Sequence, residues 1–131
     1  ARLLAKDGAI DMIVLAGGSG RTLAFGPGHL SASALPGERG NSVIAGHRDT
    51  HFRFLKDLGI GESIRIETVD GVFHQYEVID LDVVDSRRSS LLLDTDGRML
   101  SLITCYPFDV VETGGPLRYV VTAREVAVQQ G

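Results

Sequence analysis

The 131-residue sequence contains a single cysteine, Cys105, so no internal disulfide can form and stability has to come from packing. No apolar run reaches the roughly 18 residues that a membrane-spanning helix needs, and no signal peptide is visible. Lysine and arginine number 13 against 17 aspartate and glutamate residues, and the formal charge of −4 gives no indication of a nucleic-acid partner. Without internal repeats or low-complexity tracts, the sequence predicts one domain over residues 1–131 with one sizeable core.

Several patterns of known chemistry are present only in part. The glycine-rich stretch Ala16–Gly20 is followed by arginine where the phosphate-binding loop requires lysine, so we predict a flexible turn there. His47 and His51 have the spacing of helical zinc ligands, but the glutamate of that pattern is missing. Asp94 and Asp96 resemble a calcium loop that lacks its later carboxylates, and the sequence predicts no metal site. Two further histidines are expected to be ordinary surface or loop residues: His29 and His74.

Short apolar runs with period-two alternation recur along the chain and are separated by turn residues. Asp70-Gly71 is the strongest hairpin signal between two such runs. We therefore predict a mainly β protein, a closed or partly closed antiparallel-rich barrel of seven to eight strands with one or two short helices. Strands are expected at Ile10–Leu15, Ser42–Ala45, Ser63–Thr68, Val72–Val84 (long and bent), Met99–Cys105 and Leu117–Val126.

The connecting segments carry their own predictions. Thr50–Leu58 has apolar residues at helical spacing, and Thr50 is a plausible helix cap. Ser86–Leu93 is expected to hold one helical turn in a loop that borders the functional site, and Gly26–His29 is expected to be a turn.

Cys105 ends a strand-like run, and period two places it on the face opposite Leu100 and Leu102. Because the leucines occupy the core, the thiol would lie on the other face, where it can be exposed in a groove as a nucleophile must be. The alternative is a small buried core residue, which is the common fate of a lone cysteine.

Two other residues at strand ends favour the nucleophile interpretation. His47 follows one apolar run and Arg118 lies at the start of another, so that Cys105, His47 and Arg118 can supply a nucleophile, an acid/base and an oxyanion donor. Arg118 could instead be a solvated edge residue, since it is flanked by apolar residues.

Asp49 lies two residues after His47 and could orient the imidazole. It could equally pair with Arg48 or Arg53, and the sequence leaves these alternatives open.

The chain resembles sortases, cysteine transpeptidases of bacterial surfaces, from about Gly26 to Ala123. The Cys-Tyr-Pro-Phe form looks most like class D sortases and those of Gram-negative marine bacteria. The resemblance implies that Cys105, His47 and Arg118 are the catalytic residues. Three segments carry it most specifically: Leu35-Pro36-Gly37-Glu38, Ala45-Gly46-His47-Arg48-Asp49 and Thr104-Cys105-Tyr106-Pro107-Phe108.

The resemblance implies cleavage of a Leu-Pro-x-Thr-Gly or Leu-Pro-x-Thr-Ala sorting motif through a thioacyl-enzyme intermediate. The acyl group would pass to an amine of a cell-wall precursor or a protein, and no cofactor is needed. The partners implied are surface proteins that carry the motif, and nucleic acid is not among them. The full-length protein is expected to be membrane-anchored by an N-terminal signal-anchor that has been removed. Its expected location is the extracytoplasmic face of the bacterial cytoplasmic membrane, at the cell surface or in the periplasm.

Substrate contacts are expected from residues around the nucleophile. The three leucines of the loop before the Cys105 strand are apolar and could form the pocket for the motif, although at least one is expected in the core. A cysteine hydrolase with the same Cys and His, and a non-catalytic β-barrel binding module with a buried cysteine, are the alternatives. The expected substrate-binding residues are Leu91, Leu92, Leu93, Ser101, Thr104 and Tyr106.

Overall fold

The computed structural model describes residues 1–17, 26–88, 95–106, 108 and 115–126. Within these residues the chain forms nine strands, β1 to β9, and two short 3₁₀ helices, Lys6–Gly8 and Arg53–Asp57. In chain order the strands are Arg2–Ala5, Ile10–Ile13, Leu15–Ala16, Gly28–His29, Gly40–Ala45, Ser63–Glu67, Phe73–Asp85, Arg98–Cys105 and Leu117–Glu125.

All nine described strands belong to one sheet in the order β2, β1, β6, β7, β9, β8, β5, β4, β3. The two ends of this order, β2 and β3, are consecutive in the chain and are separated only by Val14. The Val14 amide donates to the Ala1 carbonyl at 2.8 Å, and the Leu15 amide donates to the Pro27 carbonyl at 2.7 Å. One stretch of chain therefore pairs with both ends of the sheet and brings it to a nearly closed barrel. This confirms the predicted fold class, although nine strands are described where seven to eight were predicted.

Six of the eight described strand pairings are antiparallel, and two, β3 with β4 and β5 with β8, are parallel. The parallel β5–β8 pair matters most for the site, because it aligns the carboxyl ends of two strands that are far apart in sequence. Parallel strands cannot be joined by a tight hairpin and need a long crossover connection.

The barrel interior is filled by the apolar residues of the alternating strands. Ile64 and Ile66 on β6 and Leu100 and Leu102 on β8 are fully buried, as their period-two spacing predicts. Tyr76 on β7 is also fully buried, and its hydroxyl accepts a hydrogen bond from the Gly37 amide at 2.8 Å. Burial raises the pKa of Tyr76 to about 12, because the phenolate would lose its hydration.

The Asp70-Gly71 hairpin joins β6 to β7, as predicted, with Glu67 opposite Phe73. Gly71 has a φ of +81°, a conformation that glycine adopts without the steric cost of a Cβ atom. Strand β7 is long and irregular, as predicted, because its register with β9 shifts between Val78 and Asp80.

Three local predictions are corrected by the structure. Gly28–His29 is not a turn but strand β4, held between β3 and β5. Ile10–Leu15 is not one strand, because pairing changes at Val14 from one end of the sheet to the other. Thr50 caps no helix: the helix begins after Phe52 and makes no side-chain cap hydrogen bond, because the preceding residues form turns on the His47 carbonyl. Of the predicted helical turn in Ser86–Leu93, residues 86–88 form a turn and the rest lies outside the described residues.

Candidate active site

Strands β5 and β8 lie side by side and end at the same edge of the barrel. Their parallel register pairs Ala45 with Ile103, and the Gly46 amide extends the ladder by donating to the Ile103 carbonyl at 3.1 Å. His47 and Cys105 each lie two residues beyond that pair. Adjacent strands lie about 4.8 Å apart, so the two residues emerge as neighbours at the end of the sheet.

Strand β9 brings Arg118 to the same position from the other side. In the antiparallel β8–β9 ladder Cys105 and Arg118 are direct cross-strand partners, and the Tyr106 amide donates to the Leu117 carbonyl at 3.1 Å. Directly paired residues project from the same face of a sheet. The structure therefore brings the ends of three adjacent strands together, with His47, Cys105 and Arg118 at them.

Cys105 is a free thiol and is half-buried at the end of β8. Leu100 and Leu102 of the same strand are fully buried in the core. This agrees with the prediction that the leucines face the core and that Cys105 lies on the other face. The non-catalytic alternative requires a fully buried cysteine, and the observed exposure does not favour it.

Arg118 is half-buried on a central strand, since β9 lies between β7 and β8. It is therefore not the solvated edge residue of the alternative interpretation. Its Nη1 donates to the Gly115 carbonyl at 2.6 Å and to the Leu117 carbonyl at 2.9 Å. Its described hydrogen bonds use only this nitrogen, and a guanidinium has five N–H donors on three nitrogens, so Nε and Nη2 remain as donors for a ligand.

His47 is exposed, and Arg48, the next residue, is only 6% exposed. Asp49 forms an ion pair with the Arg48 Nε at 3.7 Å. Among the described residues no hydrogen bond or ion pair joins Asp49 to His47. The sequence left open whether Asp49 orients His47 or pairs with an arginine, and the structure shows the ion pair with Arg48.

Two of the predicted substrate-binding residues have their hydroxyls engaged inside the protein. Thr104 is 3% exposed and donates from Oγ1 to the Gly46 carbonyl at 2.7 Å. Ser101 is 1% exposed and donates from Oγ to the Asn41 Oδ1 at 3.0 Å. Both hydroxyls tie β8 to β5, and neither is available to a peptide on the surface. Three other predicted residues lie outside the described part of the chain: Leu91, Leu92 and Leu93.

Tyr106, another predicted substrate-binding residue, belongs to a cluster of three half-buried aromatic rings, of which Phe108 and Tyr119 pack against the hydrophobic core. Its ring stacks on Tyr119 with centroids 6.1 Å apart, and Phe108 lies edge-on to both rings at 6.1 and 5.3 Å. Burial, and then the neighbouring Tyr106, raises the pKa of the Tyr119 hydroxyl. The sequence analysis did not predict this packing of Phe108 and Tyr119 against the core.

Two histidines away from this edge are not the ordinary surface or loop residues that the sequence predicted. His29 lies on β4, with Nε2 2.8 Å from the Ala34 carbonyl oxygen and 3.1 Å from the Ser33 Oγ. His74 lies on β7, with Nδ1 2.7 Å from a Glu125 carboxylate oxygen. Both rings are half-buried. The His29 ring contacts the segment that follows β4, and the His74 ring joins β7 to β9.

A surface cavity of about 660 Å³ lies away from Cys105, along the outer end of β1 and β6. It contains no thiol or imidazole among its lining residues, and its Lys6 amine is engaged by the Asp57 carbonyl and the Glu62 carboxylate. Its lining residues are Leu4, Ala5, Lys6, Asp7, Gly8, Glu62, Ser63 and Arg65. The chemistry of the three strand ends therefore locates the candidate active site.

Within the residues that the structure describes, no His, Cys, Asp and Glu side chains form a group of three or more that could hold a metal ion. Nor does the described part of the chain include a helix long and apolar enough to cross a membrane.

A thiol, an imidazole and a guanidinium on neighbouring strand ends form a recognisable chemical set. A thiolate is a strong nucleophile, an imidazole can accept and donate protons near neutral pH, and a guanidinium can stabilise an oxyanion. The arrangement is suited to acyl transfer from an amide to another acceptor.

The comparisons with known proteins identify the family of the chain. A family model described as the sortase domain matches residues 5–126. Sortase D of Bacillus subtilis (strain 168) is 34% identical over 117 residues, which cover 88% of this chain and 58% of that relative. The chain thus spans little more than half of the length of this curated relative.

Two solved structures of sortases have the same fold as this chain. A sortase D5 transpeptidase of Clostridium perfringens is similar with a TM-score of 0.83 at 27% identity, covering 96% of this chain and 78% of that one. Sortase A of Corynebacterium diphtheriae is similar with a TM-score of 0.84 at 32% identity, covering 98% of this chain and 61% of that one.

Proposed function

The chain belongs to the sortase family, and on that premise we propose that it is the single catalytic domain of a cysteine transpeptidase acting on proteins with a sorting motif. One observation carries the proposal: Cys105 and Arg118 are cross-strand partners, and the strand on the other side of Cys105 leads into His47. The substrate class is a Leu-Pro-x-Thr-Gly or Leu-Pro-x-Thr-Ala segment.

The first half-reaction forms a thioacyl enzyme. The Cys105 thiolate attacks the carbonyl carbon of the motif threonine, a C–S bond forms, and the carbonyl electron pair moves onto oxygen. Arg118 donates hydrogen bonds to this oxyanion through Nε or Nη2, which its described contacts leave available. When the tetrahedral intermediate collapses, the C–N bond breaks and the His47 imidazolium gives its proton to the departing amine.

The second half-reaction returns the enzyme to its starting state. An incoming neutral amine attacks the thioester carbon, and His47, now a neutral imidazole, accepts the proton that the amine loses. The C–S bond breaks, the thiolate leaves, and a new amide is formed. Water in place of the amine would release the carboxylic acid, which is the hydrolase alternative.

The partners follow from this chemistry. The acyl donor is a surface protein that carries the motif, and the acceptor is an amine of a cell-wall precursor or a protein. The exposed position of His47 is compatible with access by two large substrates in turn. The protein would work at the extracytoplasmic face of the cytoplasmic membrane, to which the full-length chain is anchored.

Further substrate contacts are proposed in addition to the three catalytic residues. Tyr106, half-buried next to Cys105, is retained as a contact for the motif, and Leu91, Leu92 and Leu93 remain sequence predictions. Asp49 is kept as a possible orienting residue for His47, since its described ion pair with Arg48 uses only one of its two carboxylate oxygens.

The proposal is tested with a library of Leu-Pro-x-Thr-Gly and Leu-Pro-x-Thr-Ala peptides, each incubated with and without an added amine. Mass spectrometry should find an acyl adduct on Cys105, and a new amide product should appear only when the amine is present. Acid product that does not give way to amide at any amine concentration would identify a hydrolase. The absence of any adduct across the library would reject the cysteine transpeptidase.

A further inference from the structure

The side chain of His47 carries the acid/base role in the proposed function. It is exposed, and within the described part of the chain its imidazole makes no hydrogen bond or ion pair with another side chain. An acid/base residue has to lie within hydrogen-bond reach of the group that it protonates. The position of the imidazole near Cys105 must therefore be set largely by the backbone that carries it.

That backbone is fixed on both sides of His47. The carbonyl of Gly46, in the peptide unit before His47, accepts a hydrogen bond from the Thr104 hydroxyl at 2.7 Å. The carbonyl of His47, in the peptide unit after it, accepts from the Phe52 amide at 2.9 Å. Both peptide planes that meet at the His47 Cα are thus tied to other parts of the protein.

Gly46 is also held by packing. A Cβ atom at Gly46 would come within 2.7 Å of the Phe52 ring, so the ring lies directly on the glycine backbone. Phe52 is fully buried and packs edge-to-face on Phe54, with ring centroids 5.9 Å apart. The peptide before His47 is therefore confined between a rigid aromatic ring on one side and strand β8 on the other.

Thr104 is the link between this confined peptide and the nucleophile. It immediately precedes Cys105 on β8, but its side chain lies on the opposite face and is 3% exposed. Its hydroxyl reaches across to β5, so one side chain joins the backbone next to the nucleophile to the backbone next to the acid/base.

We propose that Thr104 is a positioning residue of the reaction, whose hydroxyl bond to the Gly46 carbonyl holds His47 at the place from which it serves the leaving and attacking amines. The inference rests on the proposed function and assigns Thr104 no contact with the substrate. Threonine suits the task because its β-branch fits the strand while its hydroxyl bonds to the neighbouring one. Valine has the same shape but offers the Gly46 carbonyl no donor.

The test compares Thr104→Val with Thr104→Ser on two substrates that share one sorting-motif peptide. The first is the natural amide, whose amine must be protonated by His47 as it leaves. The second is an aryl thioester of the same acyl group, whose leaving group needs no proton. For Thr104→Val we expect kcat on the amide to fall by about 10- to 100-fold with KM unchanged, because displacement of a catalytic group by about an ångström costs this much.

Acylation by the thioester should stay within about threefold of the wild-type rate, because attack by Cys105 does not depend on His47 there. Thr104→Ser keeps the hydroxyl and should restore most of the amide activity. Ser33→Ala is the matched control: its buried Oγ also hydrogen-bonds the backbone, to Leu30 and Val43, but not at the peptide units on either side of His47. It should lose thermal stability without losing activity on the amide.

The outcomes separate the two proposals. A wild-type enzyme that forms no acyl adduct from either substrate contradicts the proposed function itself. An active wild type with an unimpaired Thr104→Val variant contradicts only the positioning role, as does an equal loss on both substrates or a loss confined to KM. If Thr104→Val does not fold, Thr104→Ala carries the same comparison, since it too removes the donor.

Discussion

Cys105 and Arg118 lie directly opposite each other in the β8–β9 ladder, the last pair before the two strands separate. A guanidinium in this position can reach an oxygen that develops on a carbon bonded to the neighbouring sulfur, because direct cross-strand residues have their Cβ atoms about 5 Å apart. The two residues are 13 positions apart in the sequence, and the antiparallel pairing of β8 with β9 brings them directly opposite each other.

Replacement of Cys105 by alanine should abolish turnover while the fold is kept. Cys105 is the only thiol in the chain, so no neighbouring group can take its place. The residual rate should be below about one hundredth of the wild-type rate, since loss of a covalent nucleophile normally costs more than that. Peptide cleavage and circular dichroism would be measured together, and a folded variant with higher activity would remove Cys105 from the mechanism.

Arg118→Lys should lower kcat by about 10² to 10³, although the charge is kept, because an ammonium cannot reproduce the planar set of guanidinium donors. Arg124→Lys is the matched control: it lies on the same strand, is exposed and pairs with Met99 at the far end of the ladder. Its steady-state kinetics should match those of the wild type. Comparable activity in both lysine variants would show that Arg118 contributes only its charge and is not a specific hydrogen-bond donor to the oxyanion.

Gly46→Ala should lower the free energy of unfolding by about 1–3 kcal/mol, because the added methyl group has to displace the fully buried Phe52 ring. Activity of the folded fraction should fall as well, since the same peptide carries His47. Gly97→Ala serves as the control, because the nearest atom that its Cβ would meet is the Met99 sulfur at 3.9 Å. Urea denaturation of the two variants measures the difference, and equal stabilities would contradict the close packing at Gly46.

Tyr76 should make stability fall in alkaline solution. Its pKa is raised to about 12 in the folded protein by burial, against about 10 in an unfolded chain. Between these values the unfolded state releases the proton and the folded state keeps it, so the contribution is present below pH 10 and is lost as the pH rises towards 12. Tyr76→Phe should flatten this part of the stability curve, measured by urea denaturation from pH 9 to 12.

At neutral pH the same variant should lose about 1 kcal/mol of stability, because the Gly37 amide loses its acceptor. The absorbance titration of tyrosinate should also lose its step of highest pKa. An alkaline stability curve parallel to that of the wild type would show that Tyr76 titrates normally.

The local structure of the strands was determined by the sequence itself. Alternation of buried Ile64 and Ile66 with exposed Arg65 fixed which face of β6 is interior, and Asp70-Gly71 fixed the hairpin that follows. These features depend on the hydrophobic effect and on turn geometry within a few residues, which a single sequence displays. The three catalytic candidates were also predicted, from their places at strand ends and from the resemblance to a known family.

What only the tertiary structure decided is which strand ends meet and what holds them. The parallel register of β5 with β8 depends on hydrogen bonds between segments about 58 positions apart, and alternation contains no information about that partner. For the same reason the sequence placed Thr104 among the substrate contacts, whereas the fold turns its hydroxyl inward to the Gly46 carbonyl. The contact of the Phe52 ring with Gly46 also depends on the tertiary structure. It forms only when the turn after His47 folds back onto the end of β5, because the ring must then come to van der Waals distance of the glycine backbone.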